Sequence, residues 1–223
     1  MDTITLSKQN RLFWLGRYSE RVYSSIQVMM ADYDDLIDGA GMDYRSFCRK
    51  MGIPCIYEGS EDFFRRYLFD SQNPHSVYAS VEAMLGNGMV LRETIGSPTL
   101  SYLQMAHSAM ELAARSESPA VELQWVLDDI MAFRGSFDDA VEEESARNIT
   151  KTGGMIERLS LMLRLDWHPE RLKQELQKLL NRLYKTELSP QPEALQTIAN
   201  QALVERCTDR VALLNSIESL FCI

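Results

Sequence analysis

The chain has few of the residues that interrupt a helix, and prolines number only 7 in 223 residues. It has 4 cysteines, Cys48, Cys55, Cys207 and Cys222. None forms a CxxC pair, and no Cys/His spacing suits a zinc site, which predicts reduced, structural thiols. Its three histidines, His75, His107 and His168, are scattered. No Glu-x-x-His pair of the kind that binds di-iron in helical bundles occurs. No apolar run approaches the roughly 20 residues of a membrane span. The opening MDTITLSKQNRL lacks a basic segment followed by an apolar one, so no secretory leader is expected and the cytoplasm is the expected compartment. Cations are also in deficit. Lys and Arg total 23 against 32 Asp and Glu, a formal charge of −9. So acidic a chain is a poor general binder of nucleic acid or anionic membrane.

What is present reads as helix almost throughout. Ser7 can cap a helix running to about Ile37, where Asp38 and Gly39 stop it. Asp43 opens a short helix ended by Gly52, and Ser60 with Glu61 and Asp62 opens another. IPCIYEG is the one strand-like piece, too short to found a sheet. Asn73-Pro74, Ser97-Pro98 and Ser118-Pro119 each set a capping side chain before a proline. They predict helices over 75–95, 98–115 and 119–134. Gly135 is read as an interruption, with Ser136 capping a long helix to about Leu165. The acidic run Asp138 to Ser145 then falls in the solvated first turns of that helix. Leu172, Leu176, Leu179, Leu180 and Leu183 make one face of a further helix after His168. Two last helices are expected near 193–204 and 209–220. The fold class is therefore all-α: one helical bundle of about eight to ten helices. It forms a single domain over 1–223, with 190–223 a possible appended hairpin.

A short pattern recurs. GRYSER, from Gly16 to Arg21, aligns with GGMIER, from Gly153 to Arg158, at an offset of 137 residues. Gly, Glu and Arg match, and Arg17 aligns with Gly154. In the first helix Leu15, Val22, Ile26, Met29, Tyr33 and Leu36 form a stripe, with Phe13, Trp14 and Val28 on the side of Glu20 and Arg21. In the second, Ile156, Leu159 and Leu163 form the stripe. Both helices are apolar nearly all round, as central, buried helices are. A buried charge costs several kcal/mol unless paired. A cross-pairing of Glu20 with Arg158 and of Glu157 with Arg21 would meet that need, and Gly16 and Gly153 would let the helices approach closely. Three readings stand: a structural ion-pair network, a polar pocket for a charged ligand, and a carboxylate-bridged metal. The methionines read as adaptable core rather than a peptide groove.

These residues carry a family resemblance. RLFWLGRYSERV and GGMIERLSLMLRLD resemble the two ends of the alpha-E domain, a helical domain named for its Glu-Arg motif. Leu12, Trp14, Leu15, Gly16, Arg17, Tyr18, Glu20 and Arg21 fit the first end; Gly153, Ile156, Glu157 and Arg158 fit the second. Asn73-Pro74-His75-Ser76-Val77 and the stretch with Asn87, Arg92, Glu93 and Ile95 resemble its middle. Gly154 and Leu85-Gly86 depart from the family pattern. The resemblance implies a setting beside a circularly permuted ATP-grasp ligase and a transglutaminase-like protein, in ATP-dependent amide or peptide-bond formation. ATP and Mg are expected on the partner ligase, with no cofactor or metal in this chain, which has no glycine-rich phosphate loop. One expectation is a substrate pocket lined by Arg17, Tyr18, Glu20, Arg21, Asn87, Arg92, Glu157 and Arg158, with Glu20 and Glu157 as the catalytic candidates. Arg21 and Arg158 would hold carboxylate or phosphate groups. The other is a non-catalytic scaffold that docks onto the ligase and uses its Glu-Arg pairs structurally.

Overall fold

The computed structural model describes residues 4–37, 43–204, 206–207 and 209–222. Among them the chain is all-α. In order come α1 (Leu6–Ile37), α2 (Tyr44–Met51), α3 (Ser60–Phe69), α4 (Val77–Val90), α5 (Arg92–Ala113), α6 (Ala120–Ala140), α7 (Glu144–Leu165), a 3-10 turn (Pro169–Arg171), α8 (Leu172–Leu183), α9 (Pro192–Gln201) and α10 (Arg210–Glu218). IPCIYEG is irregular. No described helix is long and apolar enough to cross a membrane. The expected stop of α1 at Asp38 and Gly39, and the side chains of Tyr33 and Leu36, lie outside the described residues.

The chain divides into two compact units. The first comprises Met1–Arg17 with Glu143–Ile223, and the second comprises Tyr18–Glu142. In the first, α7 is the central element, and Ile149, Ile156 and Leu159 are buried along it. Helices α8 and α10 pack on α7, and α9 packs on both α8 and α10. Polar ties fix these contacts. Arg182 donates to Asn148 at 2.8 Å. Glu218 accepts from Ser160 and Arg164 at 2.7 and 2.6 Å.

In the second unit the dominant packing is α5 on α6, with α4 on α5 and α3 on α4. An aromatic cluster joins α2 and α3: the Phe63 ring lies 5.8, 5.4, 5.0 and 5.3 Å from those of Tyr44, Phe47, Tyr57 and Tyr67. Asp43 caps α2 by accepting from Arg45 and Ser46 N–H, as its sequence predicts. Beside the cluster, burial first and then the neighbouring Cys55 push the Cys48 thiol up to about 11.

Helix boundaries differ from the expected ones at several places. Ser7 lies inside α1, with Thr5 accepting from Lys8 N–H ahead of it, and Ser118 does not cap α6. Asn73 does not cap a helix. Its Oδ1 accepts from His75 N–H and its Nδ2 donates to Tyr57 Oη, while Ser76 caps α4 through Ala79 N–H. Gly96, at φ 76°, breaks the run between Arg92 and Pro98; only glycine adopts that backbone at little cost, and Pro98 then starts the next straight piece. Gly135 does not interrupt α6, because one interior glycine costs about 1 kcal/mol, too little to end a packed helix. Ser136 instead meets Thr99 at 2.8 Å. The break falls at Val141–Glu143, so the acidic run spans two helix ends. Asp138 and Asp139 close α6, Glu143 pairs with Lys8 at 2.9 Å, and Glu144 opens α7.

Candidate functional site

The two copies of the Glu-Arg motif lie in α1 and α7. Within the first unit these helices meet at their glycines. A Cβ on Gly16 would fall on the Thr150 carbonyl oxygen, and one on Gly153 on the Phe13 carbonyl oxygen, both well inside van der Waals contact. The two contacts are reciprocal: the offset that aligns Gly16 with Gly153 also aligns Phe13 with Thr150. The crossing therefore has a local two-fold character, and the absence of both Cβ atoms is what allows it. Close approach at Gly16 and Gly153 was legible in the sequence.

One turn beyond the crossing, Arg17 Nε donates to Glu157 Oε2 at 2.7 Å. The side chains are 13% and 4% exposed, so this pair lies in a low-dielectric setting where charge and hydrogen bond reinforce each other. The Arg17 guanidinium also lies over the Trp14 ring, 4.9 Å from its centroid.

In the second unit Glu20 is buried to the same degree as Glu157, at 3% exposure. Its Oε1 accepts from Ser24 Oγ at 2.9 Å, and its Oε2 accepts from Arg134 Nη2 at 2.8 Å. The same Arg134 nitrogen reaches the Ser19 carbonyl at 3.4 Å, and the guanidinium lies 4.6 Å from the Tyr23 ring centroid. Arg134 was missed in the sequence reading. Arg17, which meets Glu157, aligns with Gly154, which carries no side chain. A guanidinium from α6 stands with the first acid. The available signal was a lone arginine set against Phe133, in a stretch whose Phe133 and Phe137 share a buried face. Ser24, one helical turn from Glu20, was a second signal.

The remaining expected site residues are more dispersed. Arg158 is 3.8 Å from Glu175, whose other oxygen accepts from Lys178 Nζ at 2.7 Å. The Arg158 side chain is 38% exposed. Arg21 is half-buried over the Tyr18 ring at 5.6 Å. Asn87 is buried in α4. Arg92 is exposed and donates to Ser97 Oγ at 3.3 Å across the Gly96 kink. The expected pairs Glu20–Arg158 and Glu157–Arg21 would each run from one unit to the other. Among the described residues no group of three or more His, Cys, Asp or Glu side chains is placed to hold a metal ion.

The chemistry of these contacts is that of charge held in place. Both Glu20 oxygens already accept hydrogen bonds, and Glu157 accepts a short one from a guanidinium. Protonating either acid would weaken its charge-assisted hydrogen bond to the arginine it meets.

A chain that is all-α among its described residues, with two Glu-Arg motifs whose acids are buried, defines a class before any comparison. The comparison agrees: residues 8–183 match Alpha-E, described as a predicted alpha-helical domain with a conserved ER motif. The chain belongs to that family, and Glu20-Arg21 and Glu157-Arg158 both fall inside the matched span. No curated protein and no solved structure matches the chain.

Proposed function

We propose that this chain is a non-catalytic helical scaffold of an ATP-grasp amide-ligase system, docking onto the ligase while its Glu-Arg pairs hold its own helices in register. The observation that carries this reading is the burial of Glu20 and Glu157, each already joined to an arginine at hydrogen-bond distance. A circularly permuted ATP-grasp protein, carrying ATP and Mg, and a transglutaminase-like protein are the proposed partners, on the strength of the family resemblance. A second reading has one observation in its favour. Arg158 keeps over a third of its side chain in solvent, so it could hold a carboxylate or phosphate of a charged amino-acid or peptide substrate.

The test is co-expression with the ATP-grasp protein encoded in the same genome, followed by ADP release with a panel of amino acids. Wild type is compared with Glu20→Gln, Glu157→Gln and Arg158→Gln, with thermal melting in parallel. The scaffold reading expects the Glu variants to melt lower while turnover per folded complex is kept. Lost turnover with an unchanged melt for either Glu variant would refute it in favour of a working acid. Lost turnover for Arg158→Gln alone would establish the substrate reading.

A further inference from the structure

The second unit carries a groove of about 560 Å³ that the Glu-Arg motifs do not touch. Its walls are α5 and α6. Along α5 run Ser101, Met105, Ser108 and Leu112, spaced by three and four residues, and from α6 come Trp125, Asp128 and Asp129. The small side chains Ser108 and Ala109 leave room between the larger ones. Met105, Leu112 and Trp125 are 51%, 52% and 48% exposed. Three large apolar side chains half in water around one groove are more than the scatter of single exposed residues that any surface shows. Met105 also corrects the reading of the methionines as core. Met29, Met84 and Met110 are fully buried, but Met89, Met105 and Met131 are each more than half exposed.

The shape fits a helix. Two packed helices leave a furrow into which a third can lay its ridge of side chains. Met105 and Leu112 are seven residues apart, which at the helical rise is about 10 Å. That is the spacing of apolar anchors at i and i+7 on a docking helix. Trp125 supplies a large rigid contact and Met105 an adaptable one.

The charge narrows the partner. The ionisable groups lining the groove are Asp128 and Asp129. Asp128 accepts from the neutral Gln124 at 2.8 Å. Burial first, and then Asp128, raise the Asp129 carboxyl above its ordinary range, so the acids crowd each other and a cation would relieve both. The cation of α6, Arg134, is committed to Glu20. A second copy of this chain would bring like charge to like charge across a two-fold interface, in a protein whose net charge is already −9.

We propose that the α5–α6 groove docks an amphipathic helix of a partner protein, with apolar anchors at i and i+7 on Met105, Leu112 and Trp125 and a Lys or Arg flank on Asp128 and Asp129. This stands apart from the ligase-system reading, because it rests on none of the Glu-Arg residues.

The test is fluorescence anisotropy with three labelled 18-residue peptides. The first has leucines at i, i+3, i+4 and i+7 and lysine or arginine on the other face. The second is its scramble, and the third replaces every basic residue with glutamate. The first peptide is expected to bind saturably and the other two at least tenfold more weakly. Asp128→Asn with Asp129→Asn should weaken the first peptide about tenfold at low salt, and the loss should shrink as salt rises. Trp125→Ser should do the same at all salt concentrations. Circular dichroism melts check folding, and Leu112→Gln stands in if Trp125→Ser melts early. Three results would each overturn the proposal. The scramble could bind as well as the patterned peptide, the variants could leave binding unchanged, or no patterned peptide could bind below about 1 mM. Sedimentation adds a fourth: a dimer that Trp125→Ser dissociates would make the groove a face between copies instead.

Discussion

The two Glu-Arg motifs share a pattern and solve their electrostatics differently. In the first unit Glu157 is served by Arg17, a residue of the motif itself, with Trp14 beneath the guanidinium. In the second unit Glu20 is served by Arg134, far from the motif in sequence, with Tyr23 beneath the guanidinium and Ser24 on the other oxygen. The acid, its burial and an aromatic platform are common to both. The source of the cation is not. A buried carboxylate fixes the requirement for a donor but not the position that supplies it.

The comparison can be broken hardest at the glycines. Gly16→Ala and Gly153→Ala each drive a Cβ into a carbonyl of the facing helix, and backbone has no rotamer through which to yield. Each should cost about 3 kcal/mol or more in chemical denaturation. If the crossing is two-fold in energy as in geometry, the two losses will be similar. Next come the acids. Glu157→Gln strands the Arg17 guanidinium at 13% exposure and should cost about 3 kcal/mol, lowering the melting temperature by about 6–12 °C. Glu20→Gln removes the carboxylate charge from Arg134, whose side chain is 27% exposed and also reaches the Ser19 carbonyl, and should cost about half as much. Equal losses would mean the two networks are energetically the same despite their different donors.

Gly86→Ala and Gly135→Ala provide the contrast of sign. No atom lies within 4 Å of a Cβ at either position, so each should stabilise by about 0.5–1 kcal/mol through helix propensity. The smallest effect concerns a crowded carboxylate in place of a guanidinium-paired one. Asp129 has its carboxyl raised by burial and by Asp128. The native state therefore binds its proton more tightly than the unfolded chain does. The ionised form disfavours folding above the native value, and that penalty fades as pH falls through it. Asp129→Asn should melt slightly higher than wild type at pH 7, and the gain should vanish below the ordinary carboxylate range.

Much of the fold was legible because helix signals are local. The Asp43 cap and the run of leucines from Leu172 are set by neighbours within one turn, and α2 and α8 followed. The errors came where a local signal met a stronger tertiary one. Asn73 could cap a helix, yet Tyr57 offered its amide a partner, and Ser76 was free to take the cap. Gly135 could end a helix, yet Phe133 and Phe137, both buried, hold α6 through it. In the site, the acids and the close-packed glycines could be read from the repeat. Arg134 could not, because nothing local ties it to Glu20, 114 residues away. Arg92 was read as a ligand contact on a helix rich in small residues; in the fold it is exposed and donates to Ser97 Oγ across a kink.

The Gly16–Gly153 crossing also sets an order of assembly. The second unit is continuous in sequence, but the first is made of the two ends of the chain. During synthesis the Phe13 face of α1 leaves the ribosome long before Thr150 and Gly153 exist to cover it. At 5–20 residues per second that interval is on the order of ten seconds, long compared with the folding of a helical domain. Tyr18–Glu142 can close in that time while the N-terminal turns wait for α7. The exposed interval leaves the Phe13 face open to chaperone capture on a nascent chain.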